Sequence, residues 1–133
     1  MKYILFCDGG ARGNPGPAAL GFVIQDTDGN TLFEYGEYLG KQTNNVAEYS
    51  ALISALQKAQ EMGADTVECR LDSKLVVEQL LRNWKVKEPH LQKLFMKAWN
   101  LLQGFKTYTL IHIPREKNTQ ADAQVNKTLD NLS

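Results

Sequence analysis

Cys7 to Pro17 reads CDGGARGNPGP, an aspartate followed by four glycines and two prolines within nine positions. The residues before it, Lys2 to Phe6, are mostly apolar and β-favouring, which puts Asp8 at the end of a buried first strand over residues 2–8. A tight turn alone would explain the glycines and prolines. The alternative is a strand end kept open for chemistry, and it depends on whether other acids arrive at similar places.

Working outward, AALGFVIQD (18–26) and TLFEYGEYL (31–39) read as two further strands joined through the two-residue turn Asp28-Gly29. Asp26, Asp28, Asn30 and Glu37 imitate positions 1, 3, 5 and 12 of a calcium loop, but Thr31 stands where glycine is required and no helices flank the segment. Calcium binding there is rejected. From Asn45 the period changes: Ala47, Ala51, Ala55 and Ala59 form an i, i+4 row suited to close packing on a sheet, and Met62-Gly63 ends that helix.

DTVECRLD (65–72) is a strand with Val67, Cys69 and Leu71 on one face. Helices are expected over about 73–83 and 89–104, a strand over TYTLIHI (107–113), and a last helix from near Thr119. The order β-β-β-α-β-α-α-β-α describes one α/β domain over residues 1–133, with an antiparallel hairpin and parallel later strands.

Composition sets limits. A 133-residue chain, 43% hydrophobic and 23% charged, can bury a core of its own. No apolar run approaches about eighteen residues, and the N-terminus lacks signal-peptide organisation, so no membrane association is expected. Cys7 and Cys69 both sit in strand-like runs and are expected to be reduced thiols of a cytoplasmic protein. Net charge is zero, which gives no support to a general affinity for nucleic acid. The charges are nonetheless uneven: residues 70–97 hold seven basic and three acidic side chains, Lys85 and Lys87 among them.

Three further carboxylates stand at element junctions: Glu48 in the first turn of helix one, Asp72 at the end of strand four, and Asp122 in the first turn of the last helix. Each has a plain structural role open to it. Asn45-x-x-Glu48 and Thr119-x-x-Asp122 fit capping boxes, and Asp72 is placed to cap helix two. If strands one and four are neighbours, however, Asp8 and Asp72 meet at one sheet edge. Four converging carboxylates repel and shift one another's pKa unless divalent cations sit among them, and hard oxygen donors favour Mg²⁺ or Mn²⁺.

With DGGARGNPG, TNNVAEY, LDS and PREKNTQAD in this order, the sequence resembles the ribonuclease H family, type 1, over essentially its whole length. That resemblance implies a ribonuclease H-like fold, a five-stranded mixed sheet in the order 3-2-1-4-5. It also implies a two-metal endonuclease that cuts the RNA strand of RNA–DNA hybrids and leaves 5′-phosphomonoesters. The metal ligands it implies are Asp8, Glu48, Asp72 and Asp122.

Substrate contacts implied by the resemblance run from Gly9, Gly10 and Asn14, against the RNA strand, to Asn44 and Asn45 in the minor groove, where the 2′-hydroxyl marks RNA. Ser73 joins them, and Lys41 and Thr43 match a pocket for a DNA-strand phosphate. Capping is the plainer role for one of Asn44 and Asn45.

The chain has no room for the basic protrusion of the bacterial branch. RNWKVKEPHLQK (82–93) is expected to substitute, through Lys85 and Lys87, with Trp84 packed in the core rather than beside a DNA sugar. This resembles the compact archaeal and bacterial forms, which admits double-stranded RNA as a second substrate, and a monomer is expected.

His112 aligns with Tyr108 and Leu110 on a strand face expected to be packed. Pro114 should end that strand and release Arg115 into the loop above Asp122, where a guanidinium can hold a phosphate oxygen. Arg115 is therefore the expected catalytic helper. Two rivals are weaker: a non-catalytic module would ordinarily have lost one of the acids, and GARGNPG (10–16) lacks the G-x-G-x-x-G spacing of a nucleotide cradle.

Overall fold

The structure is a computed structural model and describes residues 1–132. Five strands form one sheet in the order β3-β2-β1-β4-β5. They are β1 (Lys2–Ala11), β2 (Gly16–Gln25), β3 (Thr31–Gln42), β4 (Thr66–Leu71) and β5 (Thr107–His112). The helices are α1 (Asn44–Glu61), α2 (Lys74–Leu80), α3 (Pro89–Gln103) and α4 (Thr119–Asp130), with a 3₁₀ turn at Arg115–Lys117. No helix among the described residues is long and apolar enough to cross a membrane.

β1 runs antiparallel to β2 and parallel to β4, and β4 runs parallel to β5. The two registers of β1 end at different places. Pairing with β4 stops at Cys7–Leu71, whereas pairing with β2 continues to Ala11–Ala18. Asp8 therefore does not end its strand, as the sequence suggested. It is the first residue of β1 to lie past the end of β4.

Alternation along β1 sends successive side chains to opposite faces. Tyr3, Leu5 and Cys7 join the main core, where the alanine row of α1 (Ala47, Ala51, Ala55, Ala59) is fully buried against the sheet. The other face of β1 and β2 carries α4, whose Val125 and Leu129 pack on Ala19. Glycines let both helices sit close. A Cβ on Gly9 would lie 2.2 Å from the Ala47 carbonyl carbon of α1, and one on Gly21 would lie 2.6 Å from the Ala121 carbonyl oxygen of α4.

Several local expectations are corrected. The β2–β3 connection is a five-residue loop, not a two-residue turn; the Asp26 carboxylate organises it by accepting from the Asp28 and Asn30 N–H groups. α2 is shorter than the pattern suggested. It stops at Leu80 because Arg82 adopts φ 68° and the Asn83 and Trp84 N–H groups fold back onto the Glu78 carbonyl.

That early stop carries Trp84 off the helix face, and it is 44% exposed with the Lys74 ammonium near its ring, not a core residue. His112 is also exposed. The packed alternation covers Tyr108 and Leu110 and lapses at the last residue of this edge strand.

Gly9→Ala should destabilise the fold by about 3 kcal/mol or more, because backbone on both sides must move. Gly10→Ala should be tolerated, since its Cβ would meet only Val125 Cγ1 at 3.6 Å. Urea unfolding of the two variants checks the contrast.

Candidate active site

Asp72 is the first residue beyond β4, so the Cys7–Leu71 register sets it beside Asp8. Glu48 reaches the same place from α1. It lies at the start of the second helical turn, not in the first, because α1 begins at Asn44. One carboxylate oxygen from each of Asp8, Glu48 and Asp72 lies within 4.8 Å of the others. The Gly9 N–H lies close enough to the Glu48 carboxylate to favour its charge, at the point where strand and helix approach most closely.

The capping alternatives fail on geometry. Thr43 caps α1, its Oγ1 accepting from the Val46 N–H at 3.3 Å, and Ser73 caps α2 by accepting from the Val76 N–H at 3.3 Å. Neither Asn44 nor Asn45 caps α1, and Glu48 and Asp72 are free of capping duty. Asp122 closes no capping box with Thr119, which is already helical.

Asp122 stands apart from the three-carboxylate cluster while remaining close to Asp8. Its Oδ2 accepts from Asn126 Nδ2 at 3.2 Å, and its Oδ1 is 3.5 Å from the Arg115 guanidinium.

The electrostatics are those of crowded, buried acids. Asp8 is only 6% exposed. Burial pushes its pKa up to about 8, helped by Asp72 and then Asp122. Burial likewise raises Glu48, with Asp8 and Asp72 adding to the effect. Asp72 is raised by burial against hydrogen bonds from Asp8 and Asn118 that favour its charge.

Glu48 Oε2 is buried with no hydrogen-bond partner. An orphaned buried carboxylate oxygen is costly, and here it faces other hard oxygen donors. The donor set suits a divalent cation such as Mg²⁺ or Mn²⁺.

A cavity of about 570 Å³ opens over this cluster, lined by Asp8, Gly9, Gly10, Asn44, Glu48, Asp72, Arg115 and Asp122 among others. The glycine-rich loop is tied to the start of α1 by two asparagines. Asn44 Oδ1 accepts from the Ala11 N–H at 2.8 Å, and Asn14 Oδ1 accepts from the Asn44 N–H at 3.0 Å. Asn45 is half-buried beside them, and Lys41, exposed, pairs across the ladder with Pro17 of that loop's far end.

Lys85 and Lys87 are exposed and lie away from the carboxylates. Lys85 helps line a separate groove of about 610 Å³ with Arg82, Trp84, Gln92, Phe95 and Met96.

Two residues near the acids escaped the sequence reading. Asn126 is one; its i, i+4 spacing from Asp122 was the available signal. Asn118 is the other, and just before a helix it reads only as a cap.

Residues 6–128 match the family model described as Reverse transcriptase-like. Ribonuclease HI of Halobacterium salinarum is 46% identical over 125 residues, 94% of this chain and 63% of that protein. The crystal structure of RNase H1 from H. salinarum superposes with a TM-score of 0.96 at 44% identity, covering 98% of this chain and 99% of that one. The chain belongs to the ribonuclease H family.

LC11-RNase H1, solved in complex with an RNA/DNA hybrid, is a ribonuclease H structure at 48% identity and TM-score 0.92, with 97% of each chain covered. The bifunctional protein Rv2228c of Mycobacterium tuberculosis is 45% identical over 131 residues, which is 98% of this chain and 36% of that protein. The chain thus spans 63% of the length of the Halobacterium ribonuclease HI and 36% of the Mycobacterium protein. The five-stranded order 3-2-1-4-5 expected of a ribonuclease H is the order found.

The raised Asp8 pKa carries a stability consequence. In the unfolded chain this carboxyl ionises near 3.8, whereas in the folded protein it holds its proton to about 8. Between these values the folded state binds more protons, so without metal, stability falls as pH rises through that window. Asp8→Asn should remove part of that fall and melt above the unmutated protein near the top of the window. Thermal melts in EDTA across the window check the sign.

Proposed function

We propose that this chain is a metal-dependent endonuclease that hydrolyses the RNA strand of RNA–DNA hybrids. The observation that carries the reading is the buried Asp8–Glu48–Asp72 cluster, with its unpartnered Glu48 oxygen, beside a glycine-rich loop held open by Asn14 and Asn44. Support for the substrate comes from LC11-RNase H1, a 48% identical protein whose structure holds an RNA/DNA hybrid.

Asp8, Glu48 and Asp72 would hold one Mg²⁺ or Mn²⁺ ion, and Asp8 with Asp122 a second. When bound, two such ions activate a water and neutralise charge on the leaving oxygen of a phosphodiester, here leaving a 5′-phosphomonoester. The remaining work belongs to the chain. Gly9 and Gly10 present backbone without side chains, so the RNA strand can approach closely. Asn14, Asn44 and Asn45 read the minor groove, where 2′-hydroxyls separate RNA from DNA. Because the backbone N–H groups of Ala11 and Asn44 are already bonded to asparagine oxygens, the amide NH₂ groups of Asn14 and Asn44 face outward for this task.

Lys41, Thr43 and Ser73 would serve as phosphate and sugar contacts, and Lys85 and Lys87 would track the DNA backbone. Arg115, 78% exposed at its side chain, is placed to leave Asp122 for a phosphate oxygen and stabilise the developing charge.

We place double-stranded RNA as a second substrate, since one strand of it offers the same 2′-hydroxyls. The chain acts as one domain and a monomer. Its unpaired buried thiols, Cys7 and Cys69, suit a reducing cytoplasm.

Incubation of matched hybrid, double-stranded RNA and double-stranded DNA with EDTA, Mg²⁺ or Mn²⁺ tests the reading. Only hybrid and, more slowly, double-stranded RNA should be cut, and only with metal; equal cutting of DNA duplex overturns it. Asp8→Asn should abolish cleavage while retaining hybrid binding, because the amide keeps the shape and removes the charge shared by both ions. Filter binding and gel assays on that variant check both halves.

Lys85→Ala with Lys87→Ala should weaken binding to all hybrid sequences alike. Each lost phosphate contact should lower the salt slope of log K by about 0.7–0.9. An unchanged slope returns both lysines to a solvated face.

A further inference from the structure

Asparagine is a favoured N-cap because its side-chain oxygen accepts from the N–H groups of the first helical turn. Asn118 occupies the N-cap of α4, yet its side chain makes no capping bond. It turns inward instead, and the residue is 1% exposed. Its Nδ2 donates to the Cys7 carbonyl at 2.8 Å, and the amide lies close enough to the Asp72 carboxylate to favour its charge.

A flipped amide would set its oxygen against the Cys7 carbonyl oxygen, so the orientation is fixed by its surroundings. The consequence is that Oδ1 is buried with no partner. The backbone there (φ −118°, ψ 30°) is not the extended one of a capping residue, and a stranded buried acceptor costs stability.

Asn118 is bonded to the backbone that carries the acids. The Cys7 carbonyl belongs to the peptide leading into Asp8, and the Asn118 carbonyl accepts from the Asp122 N–H at 3.0 Å. One side chain and its own backbone thus join β1 to the start of α4, beside Asp72 at the end of β4.

We propose that Asn118 is a positioning residue of the carboxylate site, fixing the spacing of Asp8, Asp72 and Asp122 at which divalent cations bind. The inference rests on the nuclease reading only through those cations. Being buried, Asn118 acts through the acids and not on the nucleic acid.

The test compares the unmutated protein with Asn118→Ser, which removes the stranded amide oxygen but is too short to reach the Cys7 carbonyl. Calorimetric titration with Mn²⁺ should show affinity weakened by about 10–100-fold, the range for lost partners of metal ligands. The melting temperature in EDTA should be kept or raised, and KM for hybrid at saturating metal should be unchanged. A purely structural role predicts the reverse, a lower melting temperature with Mn²⁺ affinity intact, and that result overturns the proposal.

If Asn118→Ser does not fold, the side-chain amide resonances of Asn118 in the unmutated protein decide. They should shift on Mg²⁺ addition in step with saturation, and unshifted resonances overturn the proposal. A protein that binds Mn²⁺ but cuts no hybrid removes the nuclease reading and leaves the affinity comparison decisive. A protein that binds no Mn²⁺ overturns both.

Discussion

Strand β1 and helix α1 touch backbone to backbone at Gly9, where even a methyl group would collide with the Ala47–Glu48 peptide. Side chains between a helix and a sheet normally hold the two backbones apart. Removing the side chain here brings the start of α1 down onto the strand, and the Gly9 N–H comes close enough to favour the Glu48 charge. Asp8 precedes Gly9 and Asp72 lies beside it, so the same contact that seats the helix delivers a third carboxylate to the other two. On the opposite face, Gly21 lies across from Asp8 and lets α4 close in with Asp122. The acids are crowded because the backbones are.

Crowding has a cost the rest of the molecule must carry. Burial and mutual repulsion hold Asp8 and Glu48 well above ordinary carboxylate pKa values, and one Glu48 oxygen is stranded. Around this unstable centre the structure is heavily secured. The alanine row of α1 is fully buried, Thr43 and Ser73 cap the adjoining helices, and Asn14 and Asn44 pin the glycine loop. Such strain at a site, offset by rigid surroundings, is what a binding site for cations requires.

Much of this was legible in the sequence, and the parts that were not share a reason. The alanine row, the Met62-Gly63 stop and the alternation of Val67, Cys69 and Leu71 follow from local periodicity, and the structure bears them out. The four acids were singled out because each reads as standing at a junction between elements; Asp72 and Asp122 do, whereas Asp8 lies within β1 and Glu48 in the second turn of α1.

What failed depended on where neighbouring elements end. Asp8 reads as a strand terminus because the glycines after it have low strand propensity, but pairing with β2 carries β1 on to Ala11. Trp84 and His112 read as core from composition and alternation, yet α2 stops early and β5 is a sheet edge. Asn118 went unread because nothing nearby in the chain reveals that the Cys7 carbonyl, 111 residues away in sequence, will meet it.

In the proposed function, the missing Cβ at Gly9 is what brings Asp8, Glu48 and Asp72 together to hold a divalent cation. Crystals soaked in Mn²⁺ and measured for anomalous scattering test it most directly. The account predicts a manganese peak bound by these three carboxylates, with the Glu48 oxygen that lacks a hydrogen-bond partner among its ligands. Manganese found only elsewhere, with Asp8 and Glu48 unliganded, would contradict it.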